Sequence, residues 1–180
     1  INLKIDDQLL NGTGATVNLN GINTTATVYA AGAFALAIPT PNKWDVLRTA
    51  INQVRTNLFE PTHIVLHPTD MTSMELTKAT DGQYIMPPFT TADGSTVSGI
   101  RIVANTGVAI GSFLVGDFSK AGVRFKEGLT INVGYENDDF TKNLVTILAE
   151  ARLVLRVKSN HYGAFVKGVF ATAITAITKP

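Results

Sequence analysis

The chain of 180 residues is long enough for one large or two small domains, and it carries a net charge of only +1. Such a balance gives no electrostatic reason to expect nucleic-acid or anionic-membrane binding, and the absence of cysteine excludes disulfides, thiol catalysis and cysteine-based zinc sites. No apolar run reaches the ~18 residues of a membrane-spanning helix. Charged residues make up 16% of the chain, against the ~25% usual in soluble domains. We therefore expect other protein to cover part of the surface.

The first half of the chain predicts helices packed on a sheet. Residues 1–10 read as the end of a helix with Asn11-Gly12 as its stop, and residues 24–38 read as extended. The strongest helix has an apolar stripe with spacings of three and four, formed by Trp44, Leu47, Ile51, Val54 and Leu58. This stripe predicts that the helix lies against a sheet.

A short buried strand is predicted at residues 63–67, because this β-rich run is bracketed by prolines. A second helix should follow from Pro68 to about Lys78, capped by Thr69 or Asp70. Turn chemistry places a turn at Asp81-Gly82 and an exposed polar loop at 87–99. Further strands are expected at 100–104, 112–117, 122–126, 129–135 and 162–170. The tail from 171 to 180 has no clear assignment.

Residues 137–158 carry the most informative pattern of the chain. From Asn143 onward, apolar residues occupy the odd positions and many polar or charged residues the even ones, which predicts a strand with two different faces. The part up to Leu148 also fits a helix. A strand over the whole segment would span about 50 Å, which is several times an ordinary strand. Such a strand outruns a compact domain, so the pattern indicates assembly with other chains.

The candidates for catalysis and metal binding are weak. His63 and His67 have the spacing of a metal pair on a helix, but on a strand they lie too far apart to chelate one ion. The acidic group Glu136, Asp138 and Asp139 suits either a calcium ion or a solvated turn, and the turn is favoured. Walker, HExxH and GxSxG motifs are absent from the sequence. We therefore predict no cofactor, no metal and no ordinary enzyme activity.

The charged face of the long strand is the better candidate site. Glu150 and Arg152 lie two apart on one face, where they would pair across a subunit boundary or remain in solvent. Arg156 and Lys158 extend the same face. We predict a subunit interface at these four residues.

Several sequence blocks resemble, in order, the C-terminal two-thirds of tailed-phage major capsid proteins with the Hong Kong 97-type fold. The blocks are QLLNGTG (8–14), NLNGI (18–22), PTHIVLHPTD (61–70), DGQYI (81–85), SGIRIVA (98–104), FLVGDFSKA (113–121), FTKNLVTILAEARLVLRV (140–157) and AFVKGVF (164–170). The resemblance implies an α+β fold in which a mixed sheet flanked by helices forms an axial domain, while a long β-arm belongs to a peripheral domain. By analogy, residues 23–124 and 159–180 would be axial and residues 1–22 and 125–158 peripheral. The family's N-terminal arm, extended loop and spine helix would lie upstream.

Some members of that family join neighbouring subunits by an isopeptide bond. A lysine of the extended loop attacks an asparagine of a second subunit, assisted by a glutamate of a third. The resemblance places that asparagine at Asn143 and that glutamate at Glu150. If both lie in one strand, they face opposite sides, which suits contributions from different chains. The alternative, an ordinary hydrogen bond at Asn143 and a Glu150–Arg152 pair, is favoured.

The resemblance implies a structural protein, a phage or prophage head subunit. It would assemble from copies of itself, as pentamers and hexamers, into an icosahedral shell in the virion, built in the bacterial cytoplasm. Packaged DNA would be enclosed without sequence-specific contacts. A monomeric state is compatible with this reading for the fragment by itself. The alternative is a secreted or surface β-rich module that binds a ligand such as a carbohydrate, for which a signal peptide upstream would be evidence.

Overall fold

The computed structural model describes residues 2–78, 82–84, 90 and 96–180. Asp81 of the predicted turn and most of the predicted loop at 87–99 lie outside the described residues. The helices are α1 (Asn2–Asn11), α2 (Ile22–Thr25), α3 (Lys43–Thr56), α4 (Pro68–Glu75), α5 (Asp139–Lys142) and α6 (Phe170–Ile177). The strands are β1 (Thr27–Val28), β2 (His63–Leu66), β3 (Thr96–Val97), β4 (Ile100–Ala104), β5 (Ser112–Gly116), β6 (Ala121–Gly134), β7 (Thr146–Val157) and β8 (Phe165–Val169).

Helix α3 forms where the apolar stripe predicts it. Asn42 starts the helix with a capping box, in which its side chain accepts from the Asp45 amide while the Asp45 carboxylate accepts from the Asn42 amide. The buried stripe includes Trp44 and Val54, but the prediction is wrong for Leu58. That leucine follows the end of the helix with φ of +65° and is 93% exposed. The reversal of the chain there carries its side chain away from the sheet.

Helix α4 begins with a cap that the sequence reading misses. His67 is the N-cap, and its Nδ1 accepts a hydrogen bond from the Thr69 amide at 3.2 Å. Pro68 follows as the first helical residue, a position where its missing N–H costs nothing. The prediction of Thr69 or Asp70 as the cap is therefore wrong, and Asp70 is instead buried inside the first turn.

Six strands form one mixed sheet in the order β1-β8-β5-β2-β4-β3. Strand β2 runs parallel to β4 and antiparallel to β5. Successive side chains of β2 point to opposite faces, so Ile64 and Leu66 join the core under α3 and α6, while Val65 joins a second core on the other face. Leu10 of α1 and Leu155 of β7 contribute to this second core. The predicted α+β class, with a helix-flanked mixed sheet, is confirmed.

Strands β6 and β7 form a separate two-stranded sheet, here named the β-arm. The strands predicted at 122–126 and 129–135 form a single strand, β6. Its pairing register with β7 shifts between Phe125 and Glu127 and again between Glu127 and Thr130. The long strand predicted over 137–158 is shorter, because α5 and a left-handed residue at Asn143 occupy its first part. The remaining 12 residues of β7 span about 40 Å at ~3.3 Å per residue. The arm thus owes its length to pairing between two strands.

Two other segments differ from the predictions. Residues 24–38 are predicted to be extended, but their only strand is the short β1. The end of α2 precedes it, and a 3₁₀ turn at Gly32–Phe34 follows it. The strand predicted at 162–170 begins at Phe165, after a 3₁₀ segment. The unassigned tail contains α6, which buries Phe170 and Ile177 against the core. Within the described ranges, no helix has the length and apolar character required to cross a bilayer.

Gly168 is required by close packing of β8 against an aromatic pair. A Cβ at this position would meet the Phe113 ring at 2.6 Å and the Tyr29 Cβ at 2.9 Å. We expect Gly168→Ala to lower the free energy of unfolding by about 1–3 kcal/mol through overpacking, measured by urea titration. Gly122→Ala on the β-arm is the matched control, because nothing lies within 4 Å of its added methyl group. Equal losses in the two variants would contradict this explanation.

Candidate subunit interface

The β-arm has one face made almost entirely of apolar side chains. Cross-strand partners in an antiparallel pair lie on the same face, and several partner pairs here are apolar on both strands. We define the apolar face of the β-arm by the pairs Val123–Leu155, Phe125–Leu153, Ile131–Ala149 and Val133–Ile147. The alternation predicted from the sequence therefore exists, and it is matched by the partner strand.

This apolar face is buried only at the base of the arm. Leu155 is 9% exposed and packs in the second core, whereas Val133 and Ile147 near the tip are each 68% exposed. An isolated two-stranded hairpin is at best marginally stable in water, and a contiguous exposed apolar patch marks an interaction site. The distal part of the arm is therefore a candidate interaction surface.

A groove of about 650 Å³ lies beside this face, between α1 and β7. Ile5 of α1 faces it from one side and Leu153 from the other, with Val17 and Leu19 at one end. Val17 is 93% exposed. Glu150 and Arg152 also line the groove, so residues from both faces of β7 border it.

The opposite, polar face of the β-arm carries the interface residues predicted from the sequence. Arg152 pairs with Glu127 of β6, with 3.3 Å from Nε to Oε2. Within one chain, Arg152 thus reaches across the arm instead of along its own strand to Glu150. A Glu150–Arg152 pair across a subunit boundary stays a prediction. Glu150 lies opposite Thr130 and is exposed.

Arg156 and Lys158 lie at the base of the polar face, where they line a pocket of about 250 Å³. The same pocket is lined by Lys120, Arg124 and His161. Sequence reasoning misses these three residues, because they come from β6 and from the two 3₁₀ segments that flank the arm at its base. We name this cluster the basic pocket.

The tip of the β-arm holds the acidic residues considered for calcium. The Asp139 carboxylate accepts from the Glu136 amide at 3.0 Å and from the Thr146 hydroxyl at 2.6 Å. The hydrogen bond from Thr146, followed by that from the Glu136 amide, lowers the pKa of Asp139 below its ordinary value. Asp138 pairs with Lys142 at 2.5 Å. These bonds make the cluster a turn, and the described residues contain no group of carboxylates and histidines that could hold a metal ion.

The structure does not bring the two crosslink candidates together. Asn143 is the C-cap of α5, with φ of +56° and ψ of +38°, and lies outside β7. The argument that Asn143 and Glu150 face opposite sides of one strand is therefore wrong. Both side chains are exposed, and within the described part of the chain the Asn143 amide group makes no hydrogen bond through its side chain.

The histidines have structural contacts. His63 begins β2, with its Nδ1 3.1 Å from the Thr62 hydroxyl and its ring edge-on to Phe118. His67 caps α4, as described above. His161 packs edge-on against Phe59. Each ring therefore has a packing or capping role in the fold.

Comparison with known proteins identifies the family. The model of the phage capsid family matches residues 1–170. The chain belongs to this family. It is also 36% identical, over 174 residues, to the major capsid protein of Enterobacteria phage HK97. That match covers 94% of this chain and 43% of the relative, so the chain spans less than half the length of the curated relative.

Solved structures give the same fold at low sequence identity. A structure from Gordonia phage Cozz has a TM-score of 0.66 at 14% identity, covering 93% of this chain and 58% of that one. The capsid of an empty GTA particle has a TM-score of 0.61 at 14% identity, covering 91% and 60%. These matches confirm the predicted Hong Kong 97-type fold.

Proposed function

We propose that this chain belongs to a structural major capsid protein of a tailed phage or prophage. Copies of the full-length protein would form pentamers and hexamers that close into an icosahedral shell around DNA. The observation that carries the proposal is the exposed apolar face of the β-arm, since Val133 and Ile147 project from the six-stranded sheet with no covering element in the described structure. Membership of the phage capsid family supports it.

The shape of the molecule supports repeated contacts between copies. A surface that projects about 40 Å from its domain meets a different surface on the next copy, and such heterologous contacts build rings and shells. The six-stranded sheet with its helices would lie around the fivefold and sixfold axes, and the β-arm would reach toward the periphery. The axial assignment of 23–124 and 159–180 and the peripheral assignment of 1–22 and 125–158 stay part of this proposal. In this division β6 crosses from one unit to the other at Arg124.

The protein would act in the virion, after assembly in the bacterial cytoplasm. A net charge of +1 suits a shell that encloses DNA without reading its sequence. No enzymatic turnover is part of this function.

The test is assembly of the full-length protein. We would express the complete gene product without other phage proteins and examine it by electron microscopy and sedimentation velocity. Closed shells of uniform diameter are the expected result. A full-length protein that stays monomeric at high concentration, and shows binding to glycans instead, would overturn the proposal.

Covalent joining of copies is a separate hypothesis, in which a lysine amine attacks the Asn143 carboxamide carbon. The new amide bond would release ammonia, and Glu150 would take the proton of the amine. Glu150 is exposed here, so neighbouring copies would have to shield it. We infer that noncovalent contacts hold the shell.

Denaturing gels of assembled full-length protein distinguish the two cases. We expect a single monomer band, and no change in Asn143→Ala, because the described chain does not prearrange Asn143 and Glu150. A ladder of multimers in the parent that disappears in Asn143→Ala and in Glu150→Gln would contradict this expectation and establish the joining reaction.

A further inference from the structure

The basic pocket contains more positive charge than its surroundings neutralise. Lys120, Arg124, Arg156 and Lys158 all line it, together with His161. Of these pocket residues, Lys120 alone has a carboxylate within 4 Å among the described residues. That carboxylate belongs to the buried Asp117, at 3.9 Å. Arg124, Arg156 and Lys158 are exposed and have no ion pair in the described structure. Like charges held this close repel one another, so the cluster favours an anionic partner.

The chain's own carboxylates are poorly placed to fill this role. The largest exposed acidic group among the described residues, which includes Glu136 and Asp138, lies at the opposite end of the β-arm. The 12 residues of β7 put about 40 Å between the tip and the base. A hydrogen-bonded hairpin cannot fold back over that distance. An acidic group of another copy has no such restriction.

We propose that the basic pocket receives exposed carboxylates of a neighbouring copy of this chain. The inference rests on the proposed function, because it requires copies to meet in a shell. Charge complementarity favours the second copy: a near-neutral chain that concentrates cations at the arm base leaves acidic surface elsewhere, notably at the arm tip. A contact between unlike surfaces is heterologous, the type that propagates around a ring or shell.

A nucleic-acid backbone fits the pocket less well. Phosphate recognition uses a basic stripe or groove that follows several phosphates. Here four cations gather around a pocket of about 250 Å³, and the polar face beyond it carries Glu127 and Glu150. Those carboxylates would repel a phosphate chain laid along the arm.

Zero-length crosslinking of assembled full-length protein tests the contact directly. Shells would be formed from a mixture of ¹⁵N-labelled and unlabelled copies and treated with a carbodiimide, which couples an amine to a carboxylate only in direct contact. We expect mass spectrometry to find Lys120 or Lys158 joined to an aspartate or glutamate of the other isotope. Links confined to one isotope, or no link at either lysine, would overturn the inference. Failure of the parent protein to form shells would instead refute the proposed function, and the inference with it.

Charge reversal provides the second arm of the test. We expect Arg124→Glu to raise the protein concentration needed for half-assembly at least about tenfold, since each lost buried-charge contact repeats in every copy. Lys126→Glu is the matched control, because Lys126 is exposed on the same strand but does not line the pocket. Trp44 fluorescence would verify that both variants fold. If Arg124→Glu assembles like the parent, the inference is wrong, and a simultaneous loss of DNA binding would identify phosphate as the occupant.

Discussion

Asp70→Ala is expected to lower the free energy of unfolding by about 2–4 kcal/mol, because it removes the centre of a buried polar contact. Asp70 is 3% exposed. Its carboxylate accepts from the Lys43 ammonium at 2.8 Å and from the Gly111 amide at 2.6 Å. These bonds tie together the start of α3, the first turn of α4 and the loop before β5. The loss should stay below that of a fully buried pair, since Lys43 is 29% exposed and keeps its bond to Ser73.

The measurement is a urea titration followed by fluorescence of Trp44, the single tryptophan of the chain, which is 1% exposed. Asp138→Ala is the matched control. Its pair with Lys142 is shorter, at 2.5 Å, but both side chains are at least 60% exposed. Exposed pairs contribute at most about 1 kcal/mol. Similar losses in the two variants would show that burial of Asp70 is unimportant.

The same carboxylate predicts how stability depends on pH. Burial raises the pKa of Asp70, but the hydrogen bond from Lys43, the hydrogen bond from Gly111 and the positive charge of Lys43 together lower it below the ordinary 3.8. A carboxyl group with a lowered pKa in the folded state stabilises the protein above its unfolded pKa. That contribution disappears as the pH falls from about 4 through the folded pKa. Asp70→Asn should flatten this part of the stability profile, and an unchanged slope would contradict the assignment.

Ile147→Lys is expected to abolish shell assembly while leaving the 180-residue chain as stable as before. Ile147 is 68% exposed near the arm tip, opposite Val133. Exposed substitutions usually change stability by no more than about 0.5 kcal/mol. In an assembled shell, however, the apolar face would be covered, and a buried isoleucine contributes about 1.5–3 kcal/mol. A lysine there also places an unpaired charge in a contact that every copy repeats.

Two measurements separate these effects: urea titration of the 180-residue chain, and electron microscopy with sedimentation of the full-length variant. Leu58→Lys is the matched control, because Leu58 is 93% exposed, follows the end of α3 and is not part of the apolar face of the β-arm. It should assemble like the parent. If Ile147→Lys also forms normal shells, the apolar face is not an assembly surface.

Much of the six-stranded sheet and its helices could be predicted, because their signals are local. Four stripe residues of α3 repeat at helical spacing, and all of them are buried. Strand β2 is bracketed by prolines and is apolar after His63. Leu58 shows the limit of this reasoning, since it continues the spacing but the backbone turns away at Asn57. Periodicity alone does not reveal where a helix stops when no proline or glycine marks the end.

The candidate interface could be predicted only by its chemistry. The alternation in β7 correctly indicated one apolar and one polar face, and the low charge indicated that protein covers part of the surface. The partner of Arg152 could not be predicted, because it is set by the register between β6 and β7, which shifts near Glu127. For the same reason, the sequence identified only Arg156 and Lys158 among the cations of the basic pocket, since Arg124 comes from the other strand. Register depends on hydrogen bonds between distant residues and on bulges, and neither appears in the pattern of one strand.

For this protein, the sequence by itself determined the class of fold, the two-faced character of the long strand and the family to which the chain belongs. Each rests on side-chain periodicity or on residue order, which exist before the chain folds. Only the tertiary structure decided that the long strand begins at Thr146, that it pairs with β6 along its length, and that Asn143 lies in a left-handed turn before it. Residues 137–145 fit a helix or a strand locally. The hydrogen bonds of Asp139 to Glu136 and Thr146 close the tip and settle that choice.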